Sequence, residues 1–139
     1  MKVFFVDTNV LLDLLGQREP FGADAAQLLE AAVRKEVILY VSGLSFSHID
    51  YALRKTMSAA ERLYKMTRLA SIVEIIPLDR PVIEAAFALG FADFEDGLQY
   101  CAARAVPAIE AIVTRDPKGF AAGTLPVLTP PAALAAILS

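Results

Sequence analysis

Residues 2–15, KVFFVDTNVLLDLL, run from an apolar, β-rich segment straight into Asp7, Thr8 and Asn9, and then turn apolar again. A strand that stops on a carboxylate, a hydroxyl and an amide and resumes as Val10 to Leu15 reads as the opening of a strand-to-helix unit. One account of the polar triplet is local: Asp7 or Asn9 accepts a backbone N–H and caps the helix that follows. The other is chemical, because the carboxyl end of a strand is where α/β folds place their sites.

The same alternation continues along the chain. Candidate strands are Val3 to Val6, Val37 to Val41, Val73 to Pro77, Ala111 to Thr114 and Pro126 to Leu128. Helical patterns lie between them. Ala23 to Arg34, Ser45 to Met57, Arg80 to Leu89 and Phe94 to Ala105 carry apolar residues at helical spacing, and Pro130 suits the first turn of a last helix. Strands separated by helices imply an α/β fold with a parallel sheet covered on both faces, hence three layers. With 139 residues, 56% of them apolar and no internal repeat, the expectation is a single domain over residues 1–139.

Composition limits the functions available. The chain has 13 Lys plus Arg against 16 Asp plus Glu, so it carries no overall basic footprint and any nucleic-acid contact must be local. Its one cysteine, Cys101, leaves no internal disulfide and no cysteine-based zinc site. The four apolar residues before Asp7 are too few for a signal-peptide core and no uncharged run would span a membrane, so the expectation is a cytoplasmic protein.

Acids fall at the places where such a fold gathers its ligands. Asp7 follows the first strand, Asp116 follows the fourth, and Asp93, Glu95 and Asp96 open the helix before that fourth strand. Asp93 and Asp96 are three apart and point within about 60° of each other on a helix, so both can face one ion. Acids in a first turn also stabilise the helix dipole without any ligand, which accounts equally well for Asp93 and Glu95. Carboxylates converging without basic partners repel unless a cation neutralises them, and an oxygen-only donor set suits Mg²⁺ or Mn²⁺.

Three segments, VDTNVLLDLL, FADFEDGLQYCAA and IVTRDPKGF, resemble the strongest motifs of PIN-domain proteins, the metal-dependent ribonuclease fold that includes VapC-type toxins. The similarity runs over essentially the whole chain, to the closing LPVLTP. It implies a five-stranded parallel sheet in a three-layer α/β/α arrangement, and an acid cluster of Asp7, Asp96 and Asp116. Asp93, Asn9 and Thr114 would then orient ligands or water. It also implies an RNA substrate, an antitoxin protein as partner and frequent homodimers.

One position departs from the pattern. PIN domains usually carry a further acid early in the second helical region, where SFSHIDYALRK places His48. Asp50 lies two residues on, about 200° around a helix, and cannot stand in. His48 could ligate a metal or transfer a proton. A half-exposed residue bonding locally is the somewhat favoured account, since a hard Mg²⁺ prefers oxygen.

Arg54, Lys55, Arg62, Lys65 and Arg68 place five positive charges within 15 residues, and Arg115 flanks an acid motif. They form a candidate path for an RNA backbone, or merely a solvated helix face. Tyr51 and Tyr64 interleave with them and are candidates for base stacking, or for burial with satisfied hydroxyls. The reading is therefore a divalent-metal-dependent endoribonuclease, with a catalytically weakened PIN-like RNA- or protein-binding module as the alternative. A haloacid-dehalogenase-type phosphatase is disfavoured because Asn9 stands where its second aspartate belongs. A mean hydropathy of +0.51 further suggests that a copy or partner covers some apolar face.

Overall fold

The computed structural model describes all 139 residues. Strands β1 (Lys2–Val6), β2 (Val37–Ser42), β3 (Glu74–Ile76), β4 (Ala111–Val113) and β5 (Val127–Leu128) pair in parallel, in the order β3-β2-β1-β4-β5. Each lies within one residue, at either end, of the segment expected from sequence. Seven α-helices connect or follow them: α1 (Thr8–Leu15), α2 (Gly22–Val33), α3 (Leu44–Leu53), α4 (Ala59–Ala70), α5 (Arg80–Leu89), α6 (Phe94–Arg104) and α7 (Pro130–Leu138). A 3-10 turn, Pro117–Phe120, follows β4.

The alternation of side chains along the central strands fills both faces. Phe4 and Val6 of β1 and Val113 of β4 join Val10, Leu28, Ile49, Leu69 and Ala133 in one core, beneath α1 to α4 and α7. Phe5 and Ile112 point the other way, into a second core with Val82, Ala86, Tyr100 and Phe120. Buried on both sides, these strands can be continuously apolar, which is why β1 reads KVFFV without alternation. The three-layer α/β/α expectation holds.

The connections decide where a site can form. From β1 the chain steps outward to β2 and β3 across one face, then returns over the other face, through α5 and α6, to place β4 on the far side of β1. Crossovers that keep one hand must change faces when they change direction. Between β1 and β4 the connections therefore diverge, and a crevice opens at the carboxyl edge of the sheet.

Local signals set the helix ends. Asp79 and Thr129 cap α5 and α7, bonding the N–H groups of Val82 and Ala132 at 3.3 Å, and Gly90 stops α5 in the left-handed region at φ 67°. The helix expected over Ser45 to Met57 ends at Leu53, and a separate α4 begins after Ser58, whose hydroxyl accepts from Glu61 N–H at 3.1 Å. No helix is long and apolar enough to cross a membrane.

Tyr100 ties the β4 side of the sheet together. Its ring is buried, and its hydroxyl accepts from the N–H groups of Thr124 at 2.6 Å and Leu125 at 3.2 Å, just before β5. A Cβ on Gly123 would stand 2.3 Å from that ring, so only glycine lets the loop lie this close. Tyr100→Phe should strand those two donors and lower stability by about 1–3 kcal/mol. A urea midpoint unchanged from the parent would refute it.

Candidate active site

The crevice is stitched across β1 and β4. Asp7 N–H donates to the Val113 carbonyl at 2.9 Å, and one residue further the Thr114 hydroxyl donates to Asp7 Oδ2 at 2.8 Å. The other carboxylate oxygen accepts from Thr8 N–H at 2.8 Å. Asn9 completes the stitch: its Nδ2 donates to Thr114 Oγ1 at 3.2 Å and its Oδ1 accepts from Arg115 N–H at 3.3 Å. Thr114 Oγ1 also accepts from Asp116 N–H at 3.1 Å.

The two accounts of the polar triplet thus coexist in Asp7, which occupies the N-cap of α1 while its carboxylate faces the crevice. Asn9 is no cap. The helix starts at Thr8 rather than Val10, and Asn9 sits in its first turn, holding the β4 end.

The opposite wall is the N-terminus of α6. Asp93 caps that helix, accepting from Asp96 N–H at 3.0 Å. Asp96 faces the 3-10 turn, where a Cβ on Gly119 would stand 2.7 Å from Asp96 Oδ2; only glycine admits the carboxylate there. Asp116 precedes that turn with an exposed carboxylate that caps nothing.

Their electrostatics show one cluster. Burial pushes the Asp7 carboxyl above its ordinary range despite the bonds from Thr114 and Thr8, and Glu95 and Asp116 push it further. Asp96 is pushed up to about 6, first by burial and then by Asp93, Asp7, Glu95 and Asp116. No basic side chain opposes these effects at either aspartate. Of the sequence-derived trio, Asp7 and Asp116 lie close enough to raise Asp96, and Asp116 to raise Asp7, with Asp93 the first of the charges acting on Asp96.

Glu95 is the member that sequence reasoning left to the helix dipole. Its Oε1 lies 2.7 Å from His48 Nδ1, so His48 reaches across the cleft mouth to α6 instead of bonding within its own helix. Asp50 points elsewhere, held by Arg62 Nε at 2.8 Å and Arg54 at 3.4 Å.

Oxygen donors without opposing cations, and a glycine that clears space for one of them, fit a small hard cation such as Mg²⁺ or Mn²⁺. The carboxylates influence one another without closing into a ready-made cage of three ligands.

The basic residues do not form one path to this cleft. Arg62 is mostly buried, bound to Asp50 and to the Met57 carbonyl at 2.8 Å, and Arg68 reaches the Tyr64 hydroxyl. Lys65 donates to the Leu15 carbonyl at 3.1 Å, which caps the C-terminus of α1, about 12 Å from the acid end of that eight-residue helix. Only Arg54 and Lys55 stay exposed near α3. Arg115 binds the buried Asp13 and lies 4.1 Å from the Phe21 ring centroid, so it locks the loop carrying Asp116.

Beneath the acids a buried polar trio joins three helices. Gln99 Nε2 donates to Thr8 Oγ1 at 2.8 Å, and Thr8 Oγ1 and Ser45 Oγ share a hydrogen bond at 2.8 Å. Gln99 lies one turn after Asp96, so the trio fixes α6 against α1 and α3. A glutamine among the apolar residues of FEDGLQYCAA was its only sequence signal.

Comparison with known proteins is consistent with this geometry. A family model described as PIN domain matches residues 3–118. No curated protein matches the sequence. Among solved structures, VapBC2 from Rickettsia felis bound to a promoter DNA fragment is similar at a TM-score of 0.69 and 18% identity, over 91% of this chain and 98% of that one. A toxin–antitoxin complex from Klebsiella pneumoniae gives 0.67 and 24%, over 91% and 97%. VapC20 of Mycobacterium tuberculosis, a Sarcin-Ricin loop cleaving toxin, gives 0.69 and 16%, over 89% and 97%. At these identities the likeness is one of fold.

Two outcomes are expected from the site's charges. Arg115→Ala leaves Asp13 buried without its partner and should cost about 3 kcal/mol in urea unfolding, the lower end for breaking a buried pair. A loss under about 1 kcal/mol, the scale of a surface pair, would show the lock to be unimportant. Asp96 holds its proton more tightly in the fold than at its ordinary 3.8, so its contribution favours folding at low pH and is lost as pH rises from about 4 through about 6. Without divalent cations, Asp96→Asn should flatten that decline and be more stable than the parent at neutral pH. Coincident stability profiles of parent and variant would contradict this.

Proposed function

The chain belongs to the PIN-domain family, and from that premise we propose that it is a divalent-metal-dependent endoribonuclease, the toxin of a toxin–antitoxin pair. The observation that carries this reading is the group of carboxylates, Asp7, Asp96, Asp116 and Glu95, gathered at the parting of β1 and β4 with no lysine or arginine paired to them and only His48 beside Glu95. The toxin–antitoxin assemblies among its structural likenesses support the biological half of the reading, with an antitoxin protein as partner.

Asp7, Asp96 and Asp116 are the residues that would hold Mg²⁺ or Mn²⁺. When bound, such an ion supplies the positive charge that a phosphodiester and an ionising water both require. The rest is the work of the chain. Thr114 and Thr8 fix both oxygens of Asp7, and Asn9 holds Thr114 in turn, so the first ligand is oriented before anything binds. Glu95 Oε1 lies 2.7 Å from His48 Nδ1, which keeps the imidazole at the cleft beside Asp7. Arg54 and Lys55, exposed near the cleft, are the remaining candidates for phosphate contact.

A homodimer is part of the same proposal. Phe87 and Phe94 stack with ring centroids 5.5 Å apart and stay exposed beside Leu89 on α5 and α6, an apolar face that a second copy can cover. His48 at the place of the family's usual acid, and the absence of a three-carboxylate cage, favour the alternative, a binding module with weakened catalysis.

Asp7→Asn and Asp96→Asn separate the two. Asn caps a helix about as well as Asp, so Asp7→Asn should keep the fold by circular dichroism. Both variants should lose Mn²⁺ affinity by calorimetry, and RNA cleavage by roughly 100-fold or more, the most that even an outer-shell partner costs. Parent protein that binds RNA but neither binds millimolar Mn²⁺ nor cleaves would hand the reading to the binding module.

A further inference from the structure

The cleft that holds Asp7, His48 and Glu95 is lined as well by Leu12 of α1 and by Tyr51 and Ala52, which follow His48 on the same face of α3, around a volume of about 410 Å³. That lies within the roughly 300–1,000 Å³ of small-ligand sites.

Tyr51 is 75% exposed, on the turn of α3 after His48. Its ring is not loose. The Arg54 guanidinium lies over it, 5.7 Å from the centroid, and Arg54 is itself held by Asp50. One face of the ring is thereby covered and the other stays open. A single exposed tyrosine is ordinary on a protein surface. What distinguishes this one is its place in the wall of the acid cleft, propped by a cation that is anchored in turn. Tyr64, equally exposed, offers the contrast: it lines a different hollow with Leu15 and Lys65, at the far end of α1.

Carboxylates on one side of the cleft exclude an anionic or carboxylate-bearing ligand from its interior unless a cation intervenes. A nucleobase is neutral, flat and has a π face, and its phosphate can stay at the acid cluster's metal. We infer that Tyr51 is a stacking platform for one unpaired base of single-stranded RNA, next to the phosphodiester handled by the acid cluster. The inference rests on the ribonuclease reading and names the substrate's form: unpaired at that nucleotide, with little dependence on which base it is, because every base has a face to stack. A base already stacked and paired in a duplex is not available to the ring.

The test compares Tyr51→Ala, Tyr51→Phe and the parent on a short unstructured RNA and on the same sequence as a duplex. Binding is read by fluorescence anisotropy in an Asp7→Asn background, and cleavage with Mn²⁺ in the native background. Tyr51→Ala should weaken single-strand binding by about 5- to 150-fold, the range for loss of one stacked base, and raise KM with kcat little changed. Tyr51→Phe should behave as the parent, since the ring and not the hydroxyl is used. Duplex binding should not respond to either change. If the parent cleaves RNA and Tyr51→Ala matches it in Kd and KM, the platform is refuted and the nuclease reading stands. If Tyr51→Phe is as impaired as Tyr51→Ala, stacking is the wrong interaction. If the parent neither binds nor cleaves RNA, both readings fall together.

Discussion

The hydrogen bond from Asp7 N–H to the Val113 carbonyl is the last rung between β1 and β4, and beyond it the two chains must part. β1 passes into α1 on one face of the sheet, while β4 passes into a turn on the other side of the crevice. Side chains at the parting cannot be paired by strand neighbours. They are satisfied instead by one another, through the Thr114 hydroxyl, the Asn9 amide and the Asp7 carboxylate. Every other member of the cleft takes its position from this seam: α6 is held to it by Gln99 and Thr8, and α3 by Ser45.

Charge is distributed around the seam in two opposed ways. Below it, Asp13 is buried and fully answered by Arg115, with Phe21 against the guanidinium. Above it, Asp7 and Asp96 have no such answer. The contrast matters because the cations are not scarce nearby. Arg62, Lys65 and Arg115 lie on adjoining elements but are bound to Asp50, the Leu15 carbonyl and Asp13. An acid cluster left open while its neighbours are paired is the arrangement that a bound cation would complete.

Much of this was legible in the sequence. The five strands are β-rich runs ended by polar or turn residues, and Asp7 and Asp116 sit at two of those ends, where topology alone makes an acid suspect. Helix α4 carries Leu63, Met66 and Leu69 at helical spacing and a Ser58-to-Glu61 capping pattern, although only Leu69 of its twelve residues is buried. The contacts of Glu95 with His48 and of Arg115 with Asp13 were not legible. The partner of Glu95 lies on another helix, and Arg115 is 102 residues from Asp13, so neither pairing leaves a local trace. The polar trio is hidden likewise: Thr8, Ser45 and Gln99 are unremarkable until the fold brings them together.

The seam also has a consequence for the order in which the protein assembles. Val6 pairs with Val113, and Asp7 meets Thr114, across 107 positions of chain. β1 can pair with β2 early, through residues about 35 apart, but its other edge stays open until β4 has been made and has returned over the opposite face. During synthesis from the N-terminus, the mutually repelling acids are therefore kept apart until late, and meet when the cores beneath them can hold them together. Whatever reaction this edge performs, a nascent or truncated chain that lacks β4 cannot perform it.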